Sequence, residues 1–261
     1  MEHANPRIPI HQPFGGIFAL VAATLFTVAL IVLGQAIGWS GILREPASVV
    51  LPRIDANRMP MMFGYACYLL SSLALIPVAF ALRERFIAAS VSHAVADTIT
   101  FFGAAGAVLK ILGIVRWSAS MPTLASQYIA ATTPETRSML EESYTAIHGY
   151  AGSVGELLGV QLVSGIWMTS VGFVLLRRFS AGWRASLVST LGILTGTGLV
   201  IATARIFEAN IAAIQAFINP VGLVWVVALG ILMCAKARTQ PSNEALPTSL
   251  SMADSSTSQR C

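Results

Sequence analysis

Lys110 and Glu156 are the two ionisable residues that interrupt otherwise charge-poor runs in the middle of the chain. A charge at the centre of a hydrocarbon layer costs roughly 3 kcal/mol even on permissive scales, so each should turn toward other helices and find a partner. At 1.5 Å per helical residue, Lys110 lies about 10 Å inside the boundary marked by Arg116 and Trp117, and Glu156 about 12 Å inside His148. Their depths match, and so do their helical faces. Gly103, Gly106, Lys110, Gly113 and Trp117 recur at alternating spacings of three and four, as do His148, Gly152, Glu156 and Gly159, with Gly155 beside them. Small residues let backbones approach closely, so these seams predict a Lys110–Glu156 interaction, extended by Gln161 or Tyr150. Arg116, at a helix end, reads as an arginine that snorkels to headgroups. Lys110, Arg116, His148, Tyr150, Glu156 and Gln161 form the candidate polar site.

Two chemistries fit that site. In the first, the lysine and glutamate satisfy each other and set the register of two helices. In the second, Glu156 binds a cation, a proton or a substrate amine in a cavity open to one side of the membrane. The first is the more economical. Gly192 with Gly196, and Gly155 with Gly159, make G-x-x-x-G pairs that read as helix packing.

Other chemistries lack their residues. Cys67, Cys234 and Cys261 are too few and scattered for a disulfide framework or a C-x-x-C site, and the first two fall in apolar runs where a thiol packs as a small hydrophobe. His93 and His148 are expected at opposite membrane faces and cannot share one iron; His3 and His11 belong to the leading polar segment. The chain contains no H-E-x-x-H, P-loop, G-x-S-x-G or dinucleotide-binding glycine pattern. No cofactor or metal is expected, and the enzyme reading is disfavoured.

The elements that must position these residues follow from composition. Of 261 residues 55% are hydrophobic and only 11% charged, with a mean hydropathy of +0.72. A soluble domain carries about 25% charged residues, and a disordered chain far fewer apolar ones. A bilayer core of about 30 Å takes about 20 helical residues. Six runs qualify: residues 14–37, 61–82, 98–117, 150–176, 186–204 and 220–235. The first is too long for the apolar core of a signal peptide and reads as an uncleaved span. Pro77 should kink the second, and Pro220 should occupy the first turn of the sixth. The expected fold is all-α: a polytopic membrane helical bundle of six transmembrane helices, with an additional outer amphipathic helix.

The net charge of +4 is spread through short connections, which points to topology rather than nucleic acid. Arg7, Arg83, Arg85, Arg177, Arg178, Arg184, Lys236, Arg238 and the remote Arg260 share one side, and Arg44, Arg53, Arg58, Arg116, Arg137 and Arg205 the other. The bias places both termini in the cytoplasm, with residues 1–13 a cytoplasmic tail, 14–238 the membrane domain and 239–261, rich in Ser and Thr, a disordered cytoplasmic tail. Residues 38–60 and 118–149 are long outer connections. In the second, Thr133, Pro134 and Glu135 signal a helix start. Met139, Leu140, Tyr144 and Ile147 then recur at helical spacing as the apolar face of an amphipathic helix at the outer surface, expected to run into the fourth span. Arg205 and Glu208 read as interfacial.

The run Lys110-Ile-Leu-Gly113-Ile-Val-Arg116-Trp117, then Pro122-Thr-Leu-Ala125, Tyr150-Ala-Gly152-Ser-Val-Gly155-Glu156-Leu-Leu-Gly159 and Trp167 resembles bacterial multipass proteins grouped as domain of unknown function 4386. The resemblance covers about 60 residues in mid-chain. It implies a bacterial inner-membrane protein with six spans and supplies no catalytic residues. The leading expectation is an integral membrane protein with a structural, sensing or accessory role. The alternative is a proton-coupled or small-solute carrier using Glu156 and Lys110. The lipid bilayer is the expected partner; a small solute, a proton, a second copy or a membrane partner protein are further candidates.

Overall fold

The computed structural model of the chain describes residues 11–179, 182–204 and 212–235. They form helices α1 (Pro13–Ile37), α2 (Ala47–Ala56), α3 (Arg58–Ala88), α4 (His93–Ala130), α5 (Pro134–Gly152), a π-helical segment (Ser153–Val163), α6 (Ser164–Arg178), α7 (Trp183–Ala202) and α8 (Ala212–Cys234). A short 3₁₀ turn, Gly41–Arg44, follows α1. The all-α membrane bundle is therefore observed. Five helical stretches among the described residues are long and apolar enough to cross a membrane, with α5, the π segment and α6 counted as one stretch. Helix α8 supplies the sixth apolar helix.

The helices close into a ring. Helix α1 packs on α3, α3 on α4, α4 on the π segment and α6, α6 on α7, α7 on α8, and α8 back on α1. The end of the ring holding the start of α1 and the α3–α4 turn is called the near end, and the opposite one the far end. At the near end the core gathers Phe86, Phe179, Trp167 and Trp225. The Trp225 indole N–H donates to the Val188 carbonyl at 3.0 Å, which meets the polar edge of an otherwise apolar side chain. The far end has its own core, including Leu33, Leu51, Ile54, Met61 and Trp117. The outside of the ring is apolar: Phe63, Phe80, Phe101, Leu194 and Ile231 are all exposed. Such a surface is matched to lipid rather than water.

Glycines set how near the helices come. A Cβ on Gly16 would fall 2.8 Å from the Gly230 carbonyl, so α1 and α8 meet backbone to backbone where the ring closes. Gly38 ends α1 in the left-handed conformation, φ 75°, which a residue without Cβ adopts freely.

Several element boundaries differ from expectation. Residues 118–130 are not a loop: α4 continues through them, because Met121, Leu124 and Ala125 are buried against the far-end core and Pro122 is accommodated in the helix. The α4–α5 connection is only residues 131–133, with the Thr133 hydroxyl accepting from the Thr136 N–H at 3.2 Å. The amphipathic helix α5 runs without a break through the π segment into α6. Residues 38–60 also hold structure, since the 3₁₀ turn and α2 lie within them. Pro220 sits inside α8, which begins eight residues earlier than expected, rather than in its first turn. The disordered tail expected at 239–261, most of the leading segment, and Arg205 and Glu208 lie outside the described residues.

Candidate functional site

The site is built where α3, α4, α5 and the π segment meet at the far end. Backbone contacts between α4 and the π segment fix its floor. A Cβ on Gly113 would stand 2.5 Å from the Gly155 Cα, and one on Gly159 would stand 2.8 Å from the Lys110 backbone nitrogen. Gly106 faces Ser164, whose hydroxyl donates back to the Gly159 carbonyl at 2.7 Å. The facing pairs are thus Gly106 with Ser164, Lys110 with Gly159, and Gly113 with Gly155.

This register separates the two residues expected to pair. Arg83 pairs with Glu84 and with Asp97, whereas burial alone, with no charged neighbour, marks the surroundings of Lys110. Glu156 lies in the π segment, Ser153–Val163, and the residues of this stretch that come closest to α4 are Gly155, Gly159 and, just beyond it, Ser164. Lys110 sits opposite Gly159, nearer the middle of the bundle than Glu156.

Glu156 keeps other company. It lies within electrostatic range of Tyr68, Arg116 and His148, and it is engaged in the structure. Arg116 is the hub. Its guanidinium lies 5.3 Å from the Trp117 ring centre, donates from Nη1 to the Gly113 carbonyl at 2.8 Å, and has Tyr65, Tyr144, Glu156 and Tyr68 as its electrostatic neighbours. Its Nε is buried and lacks a hydrogen-bond partner. The expected snorkelling to headgroups is therefore corrected: this arginine turns into the bundle.

An aromatic frame encloses it. Tyr65 stacks on Trp117 with centroids 4.8 Å apart, His148 meets the edge of Trp117 at 5.7 Å, and Tyr144 stacks on His148 at 5.1 Å. Such stacks hold rings in register without demanding hydrogen bonds from their polar tips. Tyr65 is 1% and Tyr144 4% exposed, and neither hydroxyl proton has an acceptor; the Trp39 indole N–H is directed to the Tyr65 oxygen. His148 Nε2 stands 3.1 Å from the Leu43 carbonyl. That contact requires a proton on Nε2, which leaves Nδ1 of the neutral ring as a bare acceptor, and it too is buried without a partner. One cluster of packed side chains thus contains three unused donors, on Arg116, Tyr65 and Tyr144, and one unused acceptor, on His148.

The structure brings Arg116, His148 and Glu156 together out of the six candidates. Tyr150 is 77% exposed on the outer face of α5 and takes no part. Gln161 is 2% exposed, further along the π segment, with its Oε1 unpartnered. Tyr65, Tyr68 and Tyr144 complete the group and are absent from the sequence-derived set. Tyr65 and Tyr68 at i, i+3 and Tyr144 and His148 at i, i+4 are the signals that point to them, each pair sharing a helix face. Among the described residues no group of three or more His, Cys, Asp or Glu side chains could hold a metal ion.

The family model described as Domain of unknown function (DUF4386) matches residues 14–236. No curated protein matches the chain, and no solved structure does.

Proposed function

Starting from a multi-pass membrane protein that belongs to the DUF4386 family, we propose a sensing or accessory role in which the far-end cluster around Arg116 takes a small carboxylate. The observation that carries this reading is the set of buried, unpartnered donors around a cation: Arg116 Nε and the hydroxyls of Tyr65 and Tyr144. A buried polar atom left unpaired costs about 1–3 kcal/mol, so three in one place favour an acceptor-rich guest. A guanidinium adds charge-assisted hydrogen bonding, which favours a carboxylate over an alcohol or amine.

The carrier reading built on Lys110 and Glu156 gains nothing from the packing. Lys110 and Gly113 meet Gly159 and Gly155 backbone to backbone, which favours a packed structural contact over a path between these two helices. We also propose the cytoplasmic placement of both termini, from the arginine-rich near-end connections.

The test is thermal unfolding of the purified full chain in detergent with acetate, butyrate and hexanoate, against hexanol and hexylamine. Carboxylates should raise the midpoint of the wild-type protein, and Arg116→Gln should abolish the rise. The proposal fails if no carboxylate stabilises the wild type, or if hexanol does so equally well.

A further inference from the structure

The near end carries a second feature, independent of the cluster around Arg116. A groove of about 510 Å³ opens between the start of α4 and the end of α6, lined by Ser90, Ser92, Val95, Phe173, Arg177 and Arg178 together with Val91 and Val174. Its two kinds of wall are segregated along the chain. Arg177 and Arg178 come from the last turn of α6 and Ser90 and Ser92 from the α3–α4 turn, whereas Val95 and Phe173 lie further into their helices, toward the middle of the bundle. Ser90 holds φ 59°, which turns the chain sharply enough to set both serines at the groove's mouth.

The charge there is unspent. Neither Arg177 nor Arg178 makes an ion pair or hydrogen bond among the described residues, while the nearby acids Glu84 and Asp97 are both taken by Arg83. Both arginines are exposed, and Phe173 and Val95 are exposed beside them. Two guanidinium groups with two hydroxyls at the mouth suit a phosphate, since arginine presents paired N–H groups to phosphate oxygens. An apolar trough running inward from that point suits an acyl chain.

We propose that this groove is a binding site for an anionic phospholipid, with the phosphate held by Arg177 and Arg178 and one acyl chain laid along Val95, Phe173 and Val174. Charge complementarity selects the occupant: a zwitterionic lipid brings an ammonium group to a mouth that already holds two unpaired cations, and an anionic one does not. The chain's own arginines, rather than bulk surface charge, define the site, because the trough fixes where the phosphate sits.

Native mass spectrometry of the full chain released from nanodiscs tests this. Nanodiscs of phosphatidylcholine with added phosphatidylglycerol should yield protein retaining phosphatidylglycerol in preference to phosphatidylcholine. The double substitution Arg177→Gln/Arg178→Gln should weaken that retention roughly thirtyfold, from the usual contribution of two basic residues near an anionic surface. Val95→Trp should reduce retention with the charges intact, by filling the trough, and Arg184→Gln should leave it unchanged. The assignment is overturned if the double variant retains phosphatidylglycerol like the wild type, if Arg184→Gln causes the same loss, or if inorganic phosphate displaces the lipid.

Discussion

The Arg116 guanidinium donates to the Gly113 carbonyl at 2.8 Å and lies 5.3 Å from the Trp117 ring centre. Because α4 continues to Ala130, this arginine stands inside the helix rather than at its end, and headgroups are not its nearest partners. The Tyr144 hydroxyl, buried and unpartnered, gives the cleanest test at this scale. Replacing an unpaired buried hydroxyl by hydrogen removes a cost without removing a bond, so Tyr144→Phe should leave the ligand-free protein as stable as the wild type or about 1 kcal/mol more stable. The same substitution should reduce the stabilisation by butyrate. Paired thermal melts with and without butyrate measure both effects, and a large loss of stability in the absence of butyrate would show that the hydroxyl has a partner.

At the scale of the element, the π segment between α5 and α6 holds both Gly155, which meets Gly113 backbone to backbone, and Glu156. Gly155 and Glu156 are adjacent, so a period-3.6 reading puts both beside the seam and does not distinguish which of them meets α4. The glycine contacts make a contrast that tests the packing. Gly113→Val and Gly155→Val insert side chains where backbone already stands, and each should destabilise the bundle by about 1–3 kcal/mol. Gly149, in α5, has nothing within 4 Å of the position its Cβ would take. Gly149→Ala should therefore be neutral or stabilise by about 0.5–1 kcal/mol through helix propensity. Thermal unfolding of the three variants in one detergent ranks them; equal behaviour of Gly113→Val and Gly149→Ala would refute the close approach.

For the whole molecule, ring closure between α1 and α8 is the contact that joins the first and last described helices. The Gln12 N–H donates to the Met233 carbonyl at 2.8 Å, and a Cβ on Gly16 would lie 2.5 Å from the Cys234 sulfur. Gly16→Leu should push α8 away from α1 and expose Cys234. Maleimide labelling, read from the mass of the Cys234 peptide, should be slow in the wild type and at least several times faster in the variant. Unchanged labelling would mean that the ring is held elsewhere.

Composition and run length settle the solvent, and the count to within one helix: charge-poor runs of membrane length leave helices as the only way to satisfy the backbone in hydrocarbon, six such runs are visible, and five described helices are long and apolar enough to cross, with a shorter apolar sixth. The sequence by itself also determined the start of α5, because a threonine cap followed by proline is local chemistry. Tertiary structure decided which faces meet. The extension of α4 to Ala130 depends on burial against α2 and α5, and the parting of Lys110 from Glu156 depends on a register set by glycine contacts between distant helices. Depth along a helix can be counted from one chain segment, but rotation about its axis is settled only by what packs against it.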